Sequence, residues 1–292
     1  MSTFLQLVVN GLGKGAVYAL LALGFVIIFK STEVINFAHG SLVLFGGYIV
    51  VVTRESLGWL GASLLGIVAA GLLALVIERL LLSRSRLADP ASLALLTIGV
   101  DVIVTEEIVR RIGVAVPFIG EAWDAKPVQI GGITLFRTHL IALAVAAVLI
   151  TAFYLAFKFS NWGVAMRAQA ENREAAALMG IRSSRVTATA WVVAGLLAGV
   201  AVLFIATQDF SGAGLSRGTH SIALAAFPAA ILGGLDSTAG AVVGGLIVGI
   251  AEALSAQYIS FDFSKSAVFL VMLLVLVIRP SGLFGTREST RV

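Results

Sequence analysis

Residues 138–158 read Thr138-His-Leu-Ile-Ala-Leu-Ala-Val-Ala-Ala-Val-Leu-Ile-Thr-Ala-Phe-Tyr-Leu-Ala-Phe-Lys158. At 1.5 Å per helical residue, about 20 apolar residues cross the hydrocarbon core of a bilayer. This one run is therefore a complete membrane span. Similar runs lie on both sides of it, near 5–29, 40–53, 59–82, 91–109, 187–207, 219–235, 239–257 and 264–279. The runs 40–53 and 219–235 are short and rich in small residues, which suits re-entrant segments. Backbone at membrane depth must satisfy its own hydrogen bonds unless it lines a cavity. The expected fold is all-α: a polytopic transmembrane helix bundle of eight to nine spans. Broken or re-entrant helices are expected near 30–53 and 211–240.

Composition points the same way. Of 292 residues, 59% are hydrophobic and 12% charged, and the mean hydropathy is +1.03. The charged share is about half the roughly 25% of soluble domains. Lys and Arg exceed Asp and Glu by only 20 to 16, too slight and too dispersed for a nucleic-acid surface. The chain has no cysteine, which excludes disulfides, thiolate metal sites and cysteine nucleophiles. The first ten residues carry no positive region and the apolar run continues past them, so a cleavable signal is not expected.

Loops set the orientation. Basic residues gather in the connections 83–90 and 159–186 and in the C-terminal tail, which places these segments inside. Nine spans then put the N-terminus outside. One permease domain, 1–292, is expected. Its external loop is 110–137, where Val128–Leu135 alternates and reads as a small β-hairpin turning at Gly131–Gly132. Its cytoplasmic loop is 159–186. Residues 164–179 of that loop hold no proline, no glycine and many helix formers, so one helix is expected there, ending at Gly180. Arg167 and Glu171, four apart, can pair on its face.

Polar residues at span depth are candidates for a solute pathway. Asn36-Phe37-Ala-His39-Gly40-Ser41 sits between the first two spans, where a broken helix would line a cavity or, more plainly, His39 would pin a tight turn. Asp101 lies well inside the fourth span and is expected to be paired or to face a cavity. Glu78 and Glu252 lie near span ends, where snorkelling reaches water. Gly234 and Asp236 mark a break after the seventh span, helped by Pro228. The GxxxG pairs Gly195–Gly199, Gly240–Gly244 and Gly245–Gly249 read as close helix packing. Neither a catalytic residue nor a metal site is expected. No GxxxxGK[ST] phosphate loop occurs, since Lys14 in Gly11-Leu-Gly-Lys14-Gly lacks the following Ser or Thr.

Glu174-Ala175-Ala176-Ala-Leu-Met179-Gly180 resembles the EAA loop of bacterial ABC importer permeases, although the isoleucine–leucine–proline that follows in the general pattern is missing. The run Arg167–Ile181 is similar to the branched-chain amino acid permease family, specifically its H-type subunit. So are Asn10–Gly24, Ile35-Asn-Phe-Ala-His-Gly40 and Leu232–Gly245. The resemblance implies a coupling helix that docks on an ATPase, with Arg167, Glu171, Arg173, Glu174, Ala175, Ala176, Met179 and Gly180 as coupling residues. It also implies a second homologous permease chain, two ATPase subunits holding ATP and magnesium, and an external substrate-binding protein. The location would be the cytoplasmic (inner) membrane and the solutes branched-chain or related amino acids. Urea, amides or small organic acids are the substrate alternatives, and a self-contained secondary transporter or channel is the alternative mechanism.

Overall fold

The computed structural model describes residues 2–286 apart from 86–88, 115, 121–122, 124–125, 131–132 and 213. The expected Gly131–Gly132 turn, part of the 83–90 connection and the tail beyond 286 lie outside the described residues. The first helices are α1 (Ser2–Thr32), α2 (His39–Val76, continued by a π-helical turn Ile77–Leu82) and α3 (Pro90–Ile112). An antiparallel pair follows, β1 (Val128–Ile130) and β2 (Ile133–Leu135), with Val128 opposite Leu135. Then come α4 (Arg137–Phe159), α5 (Asn161–Glu171), α6 (Arg173–Leu178), α7 (Ser183–Ile205) and α8 (Gln208–Ser211). The chain ends in α9 (Arg217–Leu224), α10 (Ala226–Gly233), α11 (Thr238–Tyr258) and α12 (Phe261–Ile278). Among the described residues, five helical runs are long and apolar enough to cross a membrane.

One of those runs is two arms. The expected break between 53 and 59 is not a loop but a single residue, Gly58, at φ 67 and ψ 175. Helical hydrogen bonding resumes at once, so α2 is continuous in residue count while its axis reverses. The proof is contact: a Cβ on Gly46 would lie 3.2 Å from the carbonyl oxygen of Gly66 and 3.3 Å from Ala70 Cβ. Twenty residues of straight helix would hold those positions about 30 Å apart. Both arms of this hairpin pack on α7, where Gly199 faces Ile67 and Gly195 faces Ala70 and Ala74.

Helix α1 is the central post. Most residues from Ala16 to Ile28 are fully buried, as expected of a helix that is apolar all round. It runs antiparallel to α11. Gly245 meets the backbone of Ala19, Gly249 that of Gly15, and Gly11 the backbone of Ile250, so any side chain at these glycines would collide with main chain. The GxxxG pairs are thus close-packing sites, as their spacing suggests.

Contacts sort the connections into two ends. Lys30 reaches the Asp236 carbonyl, Arg79 reaches Ser184, and Gln169 reaches the Ser31 carbonyl, which gathers the 159–186 segment and the α10–α11 link at one end. At the other, Arg54 and Trp59 donate to the carbonyls of Ile119 and Gly120, and Glu106 pairs with Arg217. Trp123 seats that second end: its ring stacks on Phe204 and its Nε1 donates to Thr138. Glu78 does not snorkel as expected. It is 2% exposed and lies 3.5 Å from Arg79 Nε, in the widened π turn that ends the helix.

Candidate functional site

Helix α1 ends where Thr32 turns its hydroxyl back to the Ile28 carbonyl and Glu33 takes φ 58. The chain then doubles back along α1. His39 packs its ring 4.5 Å from that of Phe25 and directly over Gly24, two helical turns before the end of α1. Helix α2 therefore starts inside the bundle, as a broken helix would. Asn36 organises the return by accepting the Ala38 N–H at 3.0 Å, an Asx turn. Phe37 donates its N–H to Thr97 Oγ1 at 3.0 Å, and the Ser41 hydroxyl donates to the Ala38 carbonyl.

A helix start at this depth exposes unpaired N–H groups, and Asp101 of α3 supplies an acceptor. Its Oδ1 takes the Ser41 N–H at 3.1 Å, and its Oδ2 takes His220 Nε2 of α9 at 2.8 Å. Gly40 makes room: a Cβ there would lie 2.7 Å from His220 Cδ2. One carboxylate thus ties together the first turn of α2, α3 and α9. It is a lock on position, with a negative group at a helix N-terminus where the macrodipole favours it. His39 and Asn36 are both 0% exposed, and both ring nitrogens of His39 lack a hydrogen-bond partner among the described residues.

Six expected pathway residues therefore meet: Asn36, Phe37, His39, Gly40, Ser41 and Asp101. The other two, Gly234 and Asp236, stand apart at the Lys30 end. Gly234 (φ 107) ends α10 against Gly285. Asp236 accepts the N–H and hydroxyl of Thr286, and Leu283 and Phe284 donate to the carbonyls of Leu232 and Gly233. The α10–α11 break is thereby pinned by the C-terminal segment. The seventh run is also broken higher up. Pro228 removes the donor that would have bonded Leu224, and the helix divides at Ala225 into α9 and α10. His220 and Thr97 were not singled out from sequence. His220 carries the signal that flagged Asp101, an ionisable group entering an apolar span.

The 164–179 segment is two helices rather than the expected one. Asn172 (φ −156, ψ 105) breaks it and caps α6 by accepting the Ala175 N–H at 2.9 Å. Asn competes with helical hydrogen bonding and favours caps, which explains a break without proline or glycine. Gly180 ends α6 as expected, at φ 82. The Ile181 N–H reaches the Ala176 carbonyl and the Gly180 N–H the Ala177 carbonyl, both at 3.0 Å, a Schellman motif. Arg167 does not turn to Glu171. Its guanidinium donates to the carbonyls of Phe157 and Lys158 and lies 5.3 Å from the Phe157 ring centre. Gln169 is buried and donates to the Ser31 carbonyl at 2.8 Å. Helix α5 is thus fastened to α1 and α4, while α6 projects Leu178 (89% exposed) and Met179 (84%). Arg173, Glu174 and Ala175 are exposed and Ala176 is buried. A polar cavity of about 650 Å³ lies between Arg167 and Glu171 of α5 and Lys30, Glu33 and Asp236.

Residues 7–278 match the family described as branched-chain amino acid transport system / permease component. The chain belongs to that family. It is 31% identical to the high-affinity branched-chain amino acid transport system permease protein LivH of Escherichia coli K12, over 99% of this chain and 98% of that one. It is 28% identical to the corresponding permease protein BraD of Pseudomonas aeruginosa, again over 99% and 98%. The solved structure of PsaBC from Streptococcus pneumoniae in complex with Fab shares the fold, with a TM-score of 0.52 at 17% identity over 94% of this chain and 90% of that chain. This permease is therefore a helical membrane transport subunit and not an enzyme.

Proposed function

We propose that this permease is the membrane subunit of an ATP-driven importer for branched-chain or related small amino acids, taking solute from an external binding protein to the cytoplasm. The observation that carries it is likeness to amino acid transport permeases along nearly the whole chain. The solvent-exposed α6 adds support: a charged, alanine-rich turn that leaves Leu178 and Met179 bare suits docking on a partner surface. That partner is an ATPase subunit, two per complex, holding ATP and magnesium. A second homologous permease chain completes the membrane part, in the inner membrane. Nine crossings would put the N-terminus outside and α5–α6 inside.

The contacts suggest how the parts work together. Closure of the ATPase pair pushes α6, and α5 moves with it. Gln169 carries the displacement to Ser31, and the 33–38 return carries it to the first turn of α2. There Asp101 passes it to His220 and α9. The test is to purify the tagged chain in mild detergent, identify co-purifying ATPase chains, and reconstitute the complex in liposomes. ATP hydrolysis stimulated by binding protein and leucine is the expected result. Uptake by the isolated chain, driven by an ion gradient without ATP, would overturn it in favour of a secondary transporter.

A further inference from the structure

A cavity of about 590 Å³ lies between α1, α8, α9, α11 and α12, within the usual range of small-molecule sites. Helix α9 is its wall. His220 faces away from it to Asp101, while the neighbouring Ser221 opens into it. Lys14 places it toward the external end, about one turn below Asn10, whose amide donates to the Thr134 carbonyl.

Its charged groups are paired incompletely. Lys14 Nζ is 3.3 Å from Glu252 Oε1, and the Tyr18 hydroxyl donates to Glu252 Oε2 at 2.5 Å. Asp209 has a buried carboxylate oxygen with no hydrogen-bond partner among the described residues. Lys265 completes the set. Among the described residues the lining carries two cations and two anions, so a solute carrying one net charge would leave a group of its own sign unmatched, which is unfavourable. A zwitterion keeps the balance. The rest of the wall is apolar, with Phe210, Ile222, Leu224 and Val268.

We infer that this cavity binds an aliphatic α-amino acid as its zwitterion. The ammonium group enters between Glu252 and Asp209, the carboxylate turns to Lys14 and Lys265, and the side chain lies on the Ile222–Val268 wall. The inference deepens the importer reading and rests on it for the transported solute. Because α9 separates the cavity from the Asp101 lock, occupancy and the lock act on the same short helix.

The test uses the absence of cysteine. Ser221→Cys is placed in the full chain, isolated with its partner subunits in lipid nanodiscs, and the rate of its modification by a small thiol reagent is measured. The probes are L-leucine, 3-methylbutylamine, which lacks the carboxylate, and 4-methylpentanoate, which lacks the ammonium. Leucine is expected to slow modification at least tenfold and the other two to leave it unchanged. Glu252→Gln and Lys14→Met, in the Ser221→Cys background, are expected to abolish the protection. Ala225→Cys, half-buried on the same lining, is the second reporter, should the first be unreactive. Equal protection by all three probes, or none at either reporter, overturns the inference. Hydrolysis stimulated by binding protein is read on the same preparations. Stimulation without protection removes the cavity site and leaves the importer, whereas protection without stimulation does the reverse.

Discussion

At the scale of single residues, Asp101 decides most. Its two oxygens hold partners from two other elements, Ser41 at 3.1 Å and His220 at 2.8 Å. Removing one partner of a buried hydrogen bond costs about 1–3 kcal/mol, because the groups left behind are unsatisfied. Asp101→Ala should therefore strongly lower the melting temperature of the purified complex in detergent. Asp101→Asn keeps an acceptor for Ser41 and should cost less than half as much. His220→Gln should cost less in the Asp101→Asn background than in the native chain. Additive losses would mean that the two residues act independently. Asp101 was legible in the sequence because a carboxylate in the middle of an apolar run is anomalous on its own. Its partner was not, since spacing along one helix says nothing of a residue 119 positions away. His39 was legible as a residue of a broken helix. Its side chain proves to be sealed against Phe25 and Gly24.

At the scale of elements, α6 shows where sequence patterns inform and where they mislead. Gly180 announced the end of a helix, and it sits at the left-handed position that a Schellman motif requires. Asn172 announced nothing to a search for proline and glycine, yet its side chain starts α6 anew. The alanines divide accordingly. Ala175 is exposed beside the bare Leu178 and Met179, whereas Ala176 is 4% exposed and accepts the Ile181 N–H through its carbonyl. Ala175→Trp should leave the chain folded and inserted but block docking. The expected result is full membrane content with stimulated ATP hydrolysis reduced at least tenfold. Ala176→Trp has no room and should unseat α6 itself, seen as faster proteolysis within 172–181 even without partner chains. If Ala175→Trp hydrolyses ATP and takes up leucine at native rates, α6 is an ordinary solvated connection. The α2 hairpin teaches a related point: two spans were legible from hydropathy, but that one glycine suffices to reverse them was not.

At the scale of the whole molecule, the bundle is rigid along one seam and jointed where its helices are interrupted. The α1–α11 seam is closed by backbone-to-backbone contacts at Gly11, Gly15, Gly245 and Gly249, and such a seam cannot slide without collision. The joints are the places where helices are interrupted: the 33–38 return, Ala225 and Asn172. They lie along one physical path, from α6 through α5, Gln169 and Ser31 to the start of α2 and on to α9. Gln169 is its narrowest point, one side-chain amide donating to the Ser31 carbonyl at 2.8 Å in a buried setting. Gln169→Leu keeps the volume and loses the bond, at a stability loss of about 1–3 kcal/mol because the Ser31 carbonyl loses its donor. Such a change should not unfold the chain, nor should it touch α6 or its docking. ATP hydrolysis should therefore continue in the reconstituted complex while leucine uptake falls several-fold, so that more ATP is spent per solute moved. Gln169→Glu should uncouple as well, because a carboxylate cannot donate to the Ser31 carbonyl, and Gln169→Asn should recover part of the coupling only if the shorter amide still reaches. This pattern differs in kind from that of Ala175→Trp, which removes hydrolysis and uptake together. Hydrolysis and uptake falling in proportion in Gln169→Leu would mean that force reaches the pathway by another route, the remaining contacts of α5 with α4 and α7 being the first to examine.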